Sequence, residues 1–418
     1  MNIYLIYPDE VAPCYPGKAG AGARPVSGPS KKQDTAGGSR PRGKPNLVAA
    51  HPKPSWVMRT CSALWPALAI ALSLLGSPLR AGFAYVANQG DNTVSGYTID
   101  PSTGALTALP ASFLFNVGAN VPRSVVVVPN GKFLYVAGFN GVKAYTRDRS
   151  TGAVTGEISG SPFAAGSGPI SMAVVPNGKF LYVANNGDAT VSAFAIDRST
   201  GALTAISGST LPTGLDPRSV AVDPSGNFAY VANANGAGTV SAFTIDPRTG
   251  ALTAISGSPF AAGGLAVSVA VDPSGNFAYA AIQLGVSGFT IDPSTGALTA
   301  ISPFPSALGP VSVAVDPSGK FAYAANVFGN DLFGTVSGFT INAATGALTP
   351  ITSSPFAAGS EPIDVAVDPS GKFVYVANQT GNNVSGYTIN PKTGALTAIS
   401  GSPFAAGSGP SSVAFATK

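Results

Sequence analysis

The sequence predicts an all-β fold, a seven-bladed β-propeller of four-stranded antiparallel blades, on three observations. The tetrapeptide TGAL (once TGAV) recurs with its glycine at Gly104, Gly152, Gly201, Gly250, Gly296, Gly346 and Gly394, in steps of 48, 49, 49, 46, 50 and 48 residues. A Phe-x-Tyr pair keeps the same step, from Phe83/Tyr85 to Phe373/Tyr375. The first and last copies are incomplete in complementary ways. Self-similarity at about 40–50 residues marks propellers and related arrays, whose units bury a core only by stacking.

Each element of one copy follows in order. The stretches SVAVD, FVYVAN, VSGYTI and ALTAI are rich in β-favouring residues, so each copy reads as four short strands. No copy carries an apolar helical pattern of ten residues. Between the first and second strands, DPSG sets an Asp whose carboxylate bonds the backbone two residues on, a Pro with its φ already fixed, and a Gly for positive φ. DPSTGAL does the same between the third and fourth. The first copy starts at Phe83, already in its second strand, and the chain ends in SSVAFATK, a first strand with nothing after it. Residues 412–416 are therefore expected to complete the blade begun by 82–109, closing the ring and removing bare sheet edges.

Composition divides the chain at residue 81. Residues 1–57 are Gly-, Pro- and base-rich and too poor in apolar residues to form a core, a disordered leader. Residues 58–81, MRTCSALWPALAIALSLLGSPLRA, have a basic start, an apolar run from Ala63 to Leu75 and a small-residue end, the layout of a secretory signal peptide. An uncleaved signal-anchor is the alternative. A signal so far inside a chain suggests Met58 as the true start, giving a mature, secreted or periplasmic propeller over 82–418. Residues 1–81 hold ten Lys/Arg against three Asp/Glu, and the repeats thirteen against sixteen. The basic balance thus belongs to the leader, and no nucleic-acid partner is expected for the ring. Cys14 and Cys61 both precede residue 82, so the ring has no disulfide and no thiol nucleophile.

The phrases LYVAN…VSAFAIDRSTGALT (181–204) and PRSVAVDPSGNFAYVAN (217–233) resemble the seven-bladed lactonase-like family of the 6-phosphogluconolactonase type, and the related YVTN-repeat propellers. The resemblance covers 82–418. It implies a lactone hydrolase or cycloisomerase site at the mouth of the central channel, built from His, Arg and carboxylate side chains. This sequence departs from that pattern, since its one histidine, His51, lies in the leader.

Chemistry should break the repeat. Nine of the ring's acids fill turn slots, from Asp100 to Asp368; Asp91, Glu157, Asp188, Asp216, Asp331, Glu361 and Asp364 do not. Six of these seven fall in loops between second and third strands or in links between blades, which emerge on one face. The residue before each SVAV, at the channel mouth, reads Arg123, Ile170, Arg218, Val267, Val311, Ile363 and Ser411. Two arginines there suggest an anion clamp, because guanidinium presents a planar fork to an anion. Asp364 replaces the usual Ser beside this slot, with Glu361 just upstream, so Asp364 is the candidate catalytic base. Arg123, Arg218, Glu361 and Asp188 are the candidate ligand-binding residues. Surface ion pairing is the alternative for all of them.

Other patterns carry less. Asn88, Asn185, Asn233, Asn326 and Asn378 end second strands and read as loop geometry; the Phe of SPFAAG reads as inter-blade packing. The sixth copy inserts VFGNDLFG, with Phe328, Leu332 and Phe333, beside a fifth copy with one of the two shortest loops, which suggests a notch. No metal-spaced His/Cys cluster, D-x-D-x-D set, Ser–His pair or phosphate-cradling loop is present, so no metal or cofactor is expected. Two functions remain. One is an exported module binding a small anionic ligand, a protein or a polymer at its loop face; the other is a lactone hydrolase acting at the channel mouth. A monomer with no membrane span after signal cleavage fits both.

Overall fold

A computed structural model describes residues 82–417, apart from 111–114, 119, 209, 302–303, 306–308 and 328–333. The leader 1–57 and the apolar segment 58–81 lie outside the described residues, as does most of the sixth copy's insert. Every regular element described is a strand, and the strands form seven antiparallel sheets, the blades of a ring. Blades 2 to 7 begin with the inner strands Ser124–Val127, Pro169–Val174, Pro217–Val222, Ala266–Val271, Pro310–Val315 and Pro362–Val367. Each is followed outward by its remaining strands in chain order.

Blade 1 closes as the sequence predicts. Its inner strand is the C-terminal Pro410–Ala416, which pairs with Gly82–Asn88 from Phe83↔Ala416 to Asn88↔Pro410. The outer strand differs from the expectation. In six blades it is broken into a three-residue piece such as Leu252–Ala254 and a two-residue piece such as Phe260–Ala261, both pairing with the same third strand, and in blade 2 it is Val154–Glu157 followed by an isolated bridge at Phe163. The turn between the pieces, ISGSP in blades 4 and 7, lifts the chain off the edge, so these blades offer no long, straight outer edge to a neighbouring molecule. Phe260, Phe356 and Phe404 each also lie against a core shared by two blades, as expected for SPFAAG.

What holds blade to blade is a lock made from the two motifs that define the period. The second-strand Tyr donates its hydroxyl to the carbonyl of the TGAL glycine in the next blade, in all seven junctions, at 2.5 to 3.0 Å. The same glycine lies flat on the Phe of that Phe-x-Tyr. A Cβ on Gly250 would stand 2.4 Å from the Phe180 ring, and its φ is +74°. Glycine is needed there twice over, for the left-handed backbone and for the close approach. The Tyr side chains are fully buried, and their hydroxyls find a carbonyl partner, as a buried phenol must.

Candidate functional site

The inner strands start on the face where links and second-to-third-strand loops emerge. In six blades one residue before the opening Pro has a positive φ: Gly168, Gly309 and Gly409, but also Val121 (44°), Asp216 (58°) and Glu361 (51°). A side chain at such a φ is uncommon and costs backbone energy, most for a β-branched residue. Immediately after, a β-bulge shifts the pairing, as between Pro217 and Ser219 or Pro362 and Asp364. The slot holding Arg218 and Ile363 is thus the extra residue of a bulge, a device that re-aims a side chain.

Next along each inner strand comes a belt: Ser124, Ser171, Ser219, Ser268, Ser312, Asp364 and Ser412. The belt oxygen accepts a hydrogen bond from a backbone N–H of the following blade. Val220 donates to Ser171, Val269 to Ser219, Val313 to Ser268 and Val365 to Ser312, at 3.2–3.3 Å. Asp364 takes its turn in the belt, accepting the N–H of Val413 on the closing strand through Oδ2 at 2.8 Å. Its Oδ1 accepts from the Ser312 hydroxyl at 3.0 Å. The residue is partly accessible. Ring atoms nonetheless surround the carboxyl closely enough that desolvation outweighs these bonds and raises its pKa above the ordinary carboxylate value.

The two arginines differ in their surroundings. Arg218 meets Asp216 bidentately, Nε to Oδ1 at 2.8 Å and Nη2 to Oδ2 at 3.2 Å. The Asn186 amide also donates to that carboxylate. The fork that the sequence offers to a ligand is therefore already matched by a protein carboxylate. Arg123 sits at the equivalent slot of blade 2, where its backbone N–H donates to Ala137 O at 2.9 Å, with its side chain half-buried.

Glu361 occupies the left-handed position, its carbonyl accepting the Gln379 N–H at 2.8 Å. Asp188 is a loop clasp. Its oxygens accept from Ser167 N–H at 2.9 Å and from the Thr190 hydroxyl at 2.6 Å, tying link to loop. Asp91 repeats this arrangement with Ser408 and Thr93, so Asp188 serves construction. The Asn residues ending second strands donate to side chains at the start of the third strand, as Asn185 does to the Thr190 and Ser192 hydroxyls. No group of three potential metal ligands exists among the described residues.

One repeat-breaking charge escapes a search through the acids. Arg147 ends the third strand of blade 2, where the other six blades carry Ile, and it is buried. Its guanidinium lies 4.6 Å over the Phe83 ring, donates to Tyr85 Oη at 2.5 Å and to Gly131 O at 2.6 Å. It reinforces the lock between blades 1 and 2, at the opposite end of the strands from the mouth. Comparing the last residue of VSGYTI across copies would have found it.

The family model described as "Lactonase, 7-bladed beta-propeller" matches residues 79–167, 156–269 and 269–415. Similar solved structures include two proteins provisionally named 6-phosphogluconolactonase. The one from Bacteroides uniformis is 19% identical, covering 81% of this chain and 100% of that one, with a TM-score of 0.68. The one from Bacteroides fragilis is 20% identical, covering 81% and 98%, with a TM-score of 0.66. A periplasmic gluconolactonase from Pseudomonas aeruginosa is 18% identical, covering 80% and 99%, with a TM-score of 0.65. No curated protein matches in sequence. At these identities the structural likeness speaks for the fold; the family match, running over all seven blades, speaks for descent. The chain belongs to the seven-bladed β-propeller lactonase family.

Proposed function

We propose that the ring hydrolyses a lactone at the channel mouth, with Asp364 as general base. One observation carries this reading: six blades place a neutral Ser in the belt, and the seventh places a carboxyl whose burial disfavours its charge. A base with a raised pKa accepts a proton more readily than an ordinary Asp, and perturbed carboxyls gather at functional sites. Asp364 takes a proton from water as the water oxygen bonds the lactone carbonyl carbon. The ring C–O bond then breaks, and Asp364 returns the proton to the leaving alkoxide, giving a hydroxy acid. Arg123 is the donor we assign to the developing oxyanion. Family membership and the gluconolactonase likeness support the reaction class. The apolar run Ala63–Leu75 and the periplasmic neighbour support export.

The test is lactone hydrolysis by the full-length protein. Asp364→Asn should lower kcat by about 10²–10⁴-fold while the circular dichroism stays that of the parent. Unchanged turnover in that variant refutes the assignment. A second reading, a binding module for a small ligand or a protein or polymer partner, is favoured by the prior engagement of both Asp364 oxygens and of Arg218. That reading expects no turnover and a ligand affinity indifferent to Asp364→Asn.

A further inference from the structure

Three large apolar side chains stand exposed among the described residues: Phe139 at 69%, Leu215 at 63% and Leu284 at 71%. All three are on the link face. Phe139 and Leu284 tip the two shortest second-to-third-strand loops, and Leu215 immediately precedes the left-handed Asp216. The position that Leu215 fills is Ser167 in blade 3, Ser360 in blade 7 and Ser408 in the link to the closing strand. Leu265 occupies the next link, into blade 5, where Val267 fills the mouth slot and Val311 fills it in blade 6. Leu215, Leu265, Leu284, Val267 and Val311 thus form an arc over blades 4, 5 and 6, while blades 3 and 7 and the closing link carry Ser at the Leu215 position and Phe139 stands apart in blade 2. The arc ends beside Asp364: Ser312 of blade 6 is the residue that donates to it.

Charge at this end of the mouth points the same way. Arg218, the cation within the arc, already faces Asp216 at ion-pair distance. Glu361 and Asp364 stand in the adjoining blade 7. Arg123, assigned above to the oxyanion, lies across the mouth in blade 2, so a phosphoryl or carboxyl substituent lying over the arc would meet two acids and a cation already matched, in a setting where like charges repel strongly. We infer that the arc of Leu215, Leu265 and Leu284 receives the apolar substituent of an uncharged lactone, so that the site prefers alkyl-substituted lactones to phosphorylated sugar lactones. The inference rests on the proposed hydrolase reading and names its substrate class.

Its test uses the full-length protein with three probes: δ-valerolactone, δ-dodecalactone and 6-phosphoglucono-δ-lactone. The first two share one reacting ring and differ by an alkyl chain, so the ratio of their kcat/KM values reads the arc alone. Dodecalactone is expected to exceed valerolactone by roughly tenfold or more, and Leu215→Ser with Leu284→Ser should remove that ratio, the scale set by methylenes in an apolar pocket. Equal kcat/KM for the two in the parent, or the phosphorylated lactone as best substrate, overturns the inference and leaves hydrolysis standing. If none of the three is hydrolysed, the hydrolase reading falls, and calorimetry with dodecalactone decides the arc. Tighter binding to the parent than to the double Leu variant supports it; equal binding refutes it.

Discussion

The two faces of the ring use the same residue types for opposite ends. On the turn face, carboxylates are surrounded by donors: Asp292 accepts from the Ser294 hydroxyl at 2.6 Å and from the Ser294 and Thr295 N–H groups at 2.9 Å each. These bonds, the Ser hydroxyl first, lower its pKa to about 2, and Asp148 and Asp197 behave alike. At the mouth, Asp364 has two donors but little water, and its pKa moves up. The turn Asp fits its place and repeats; the mouth Asp is uncomfortable in its place and occurs once. The proposed role of Asp364 rests on that discomfort at one position in seven.

The largest test of this contrast removes the part that makes the ring a ring. Deleting residues 410–418 strips the inner strand from blade 1 and exposes the edge of Gly82–Asn88 along with the core around Val86 and Tyr97. The loss should be on the order of 5 kcal/mol or more, comparable to the net stability of a typical domain. A truncated chain that melts within a few degrees of the parent would show that blade 1 is stable without closure.

A smaller effect separates backbone strain from the lock. Gly250→Ala meets both a left-handed φ, at about 1–2 kcal/mol, and overlap with Phe180, at about 1–3 kcal/mol. Gly208 has a φ of +68° and no atom within 4 Å of where a Cβ would stand, so Gly208→Ala meets only the first. Denaturant midpoints should therefore fall further for Gly250→Ala. Equal shifts would mean that the glycine–phenylalanine contact is not tight in solution.

The smallest effect has a sign that distinguishes the faces. Asp364 has a folded pKa above its unfolded value, so the folded state holds its proton more firmly. That contribution is fully present below the unfolded pKa, near 3.8, and is lost as pH rises through the folded pKa. Asp364→Ser, which restores the residue of the other blades, should raise Tm slightly at neutral pH and flatten the profile over that window. The turn carboxylates run the other way: their contribution is present above about 3.8 and is lost as pH falls through about 2. An Asp364→Ser protein less stable than the parent at pH 7 would show that the carboxyl is a structural asset.

Repetition made the fold legible. The turn aspartates, the closing strand and the common face of loops and links all follow from aligning one copy on the next. The lock did not, because Phe-x-Tyr and TGAL meet across a blade junction and no local period says that two motifs touch. At the mouth, subtracting the repeat isolates Asp364, Arg123 and Arg218 as residues. It does not show that Arg218 and Asp216, two positions apart around a proline, turn toward one another across a left-handed residue and a bulge. Arg147 escaped because its buried position calls for Ile, and only the strand end, not the loops, reveals it.

Closure also orders events in time. Ser411 bonds to Ala87 across 324 residues of chain, so the strand begun first is finished last. At a synthesis rate of about 5–20 residues per second, Gly82–Asn88 waits roughly 15–65 s for its partner. Blades 2 to 7 complete themselves as they emerge and can stack in sequence, as repeat arrays do. During that wait the bare first strand meets six other inner strands of nearly its partner's sequence, from its own chain and from neighbouring copies. Whether the newborn chain becomes a ring or a swapped assembly is decided by which of these arrives first.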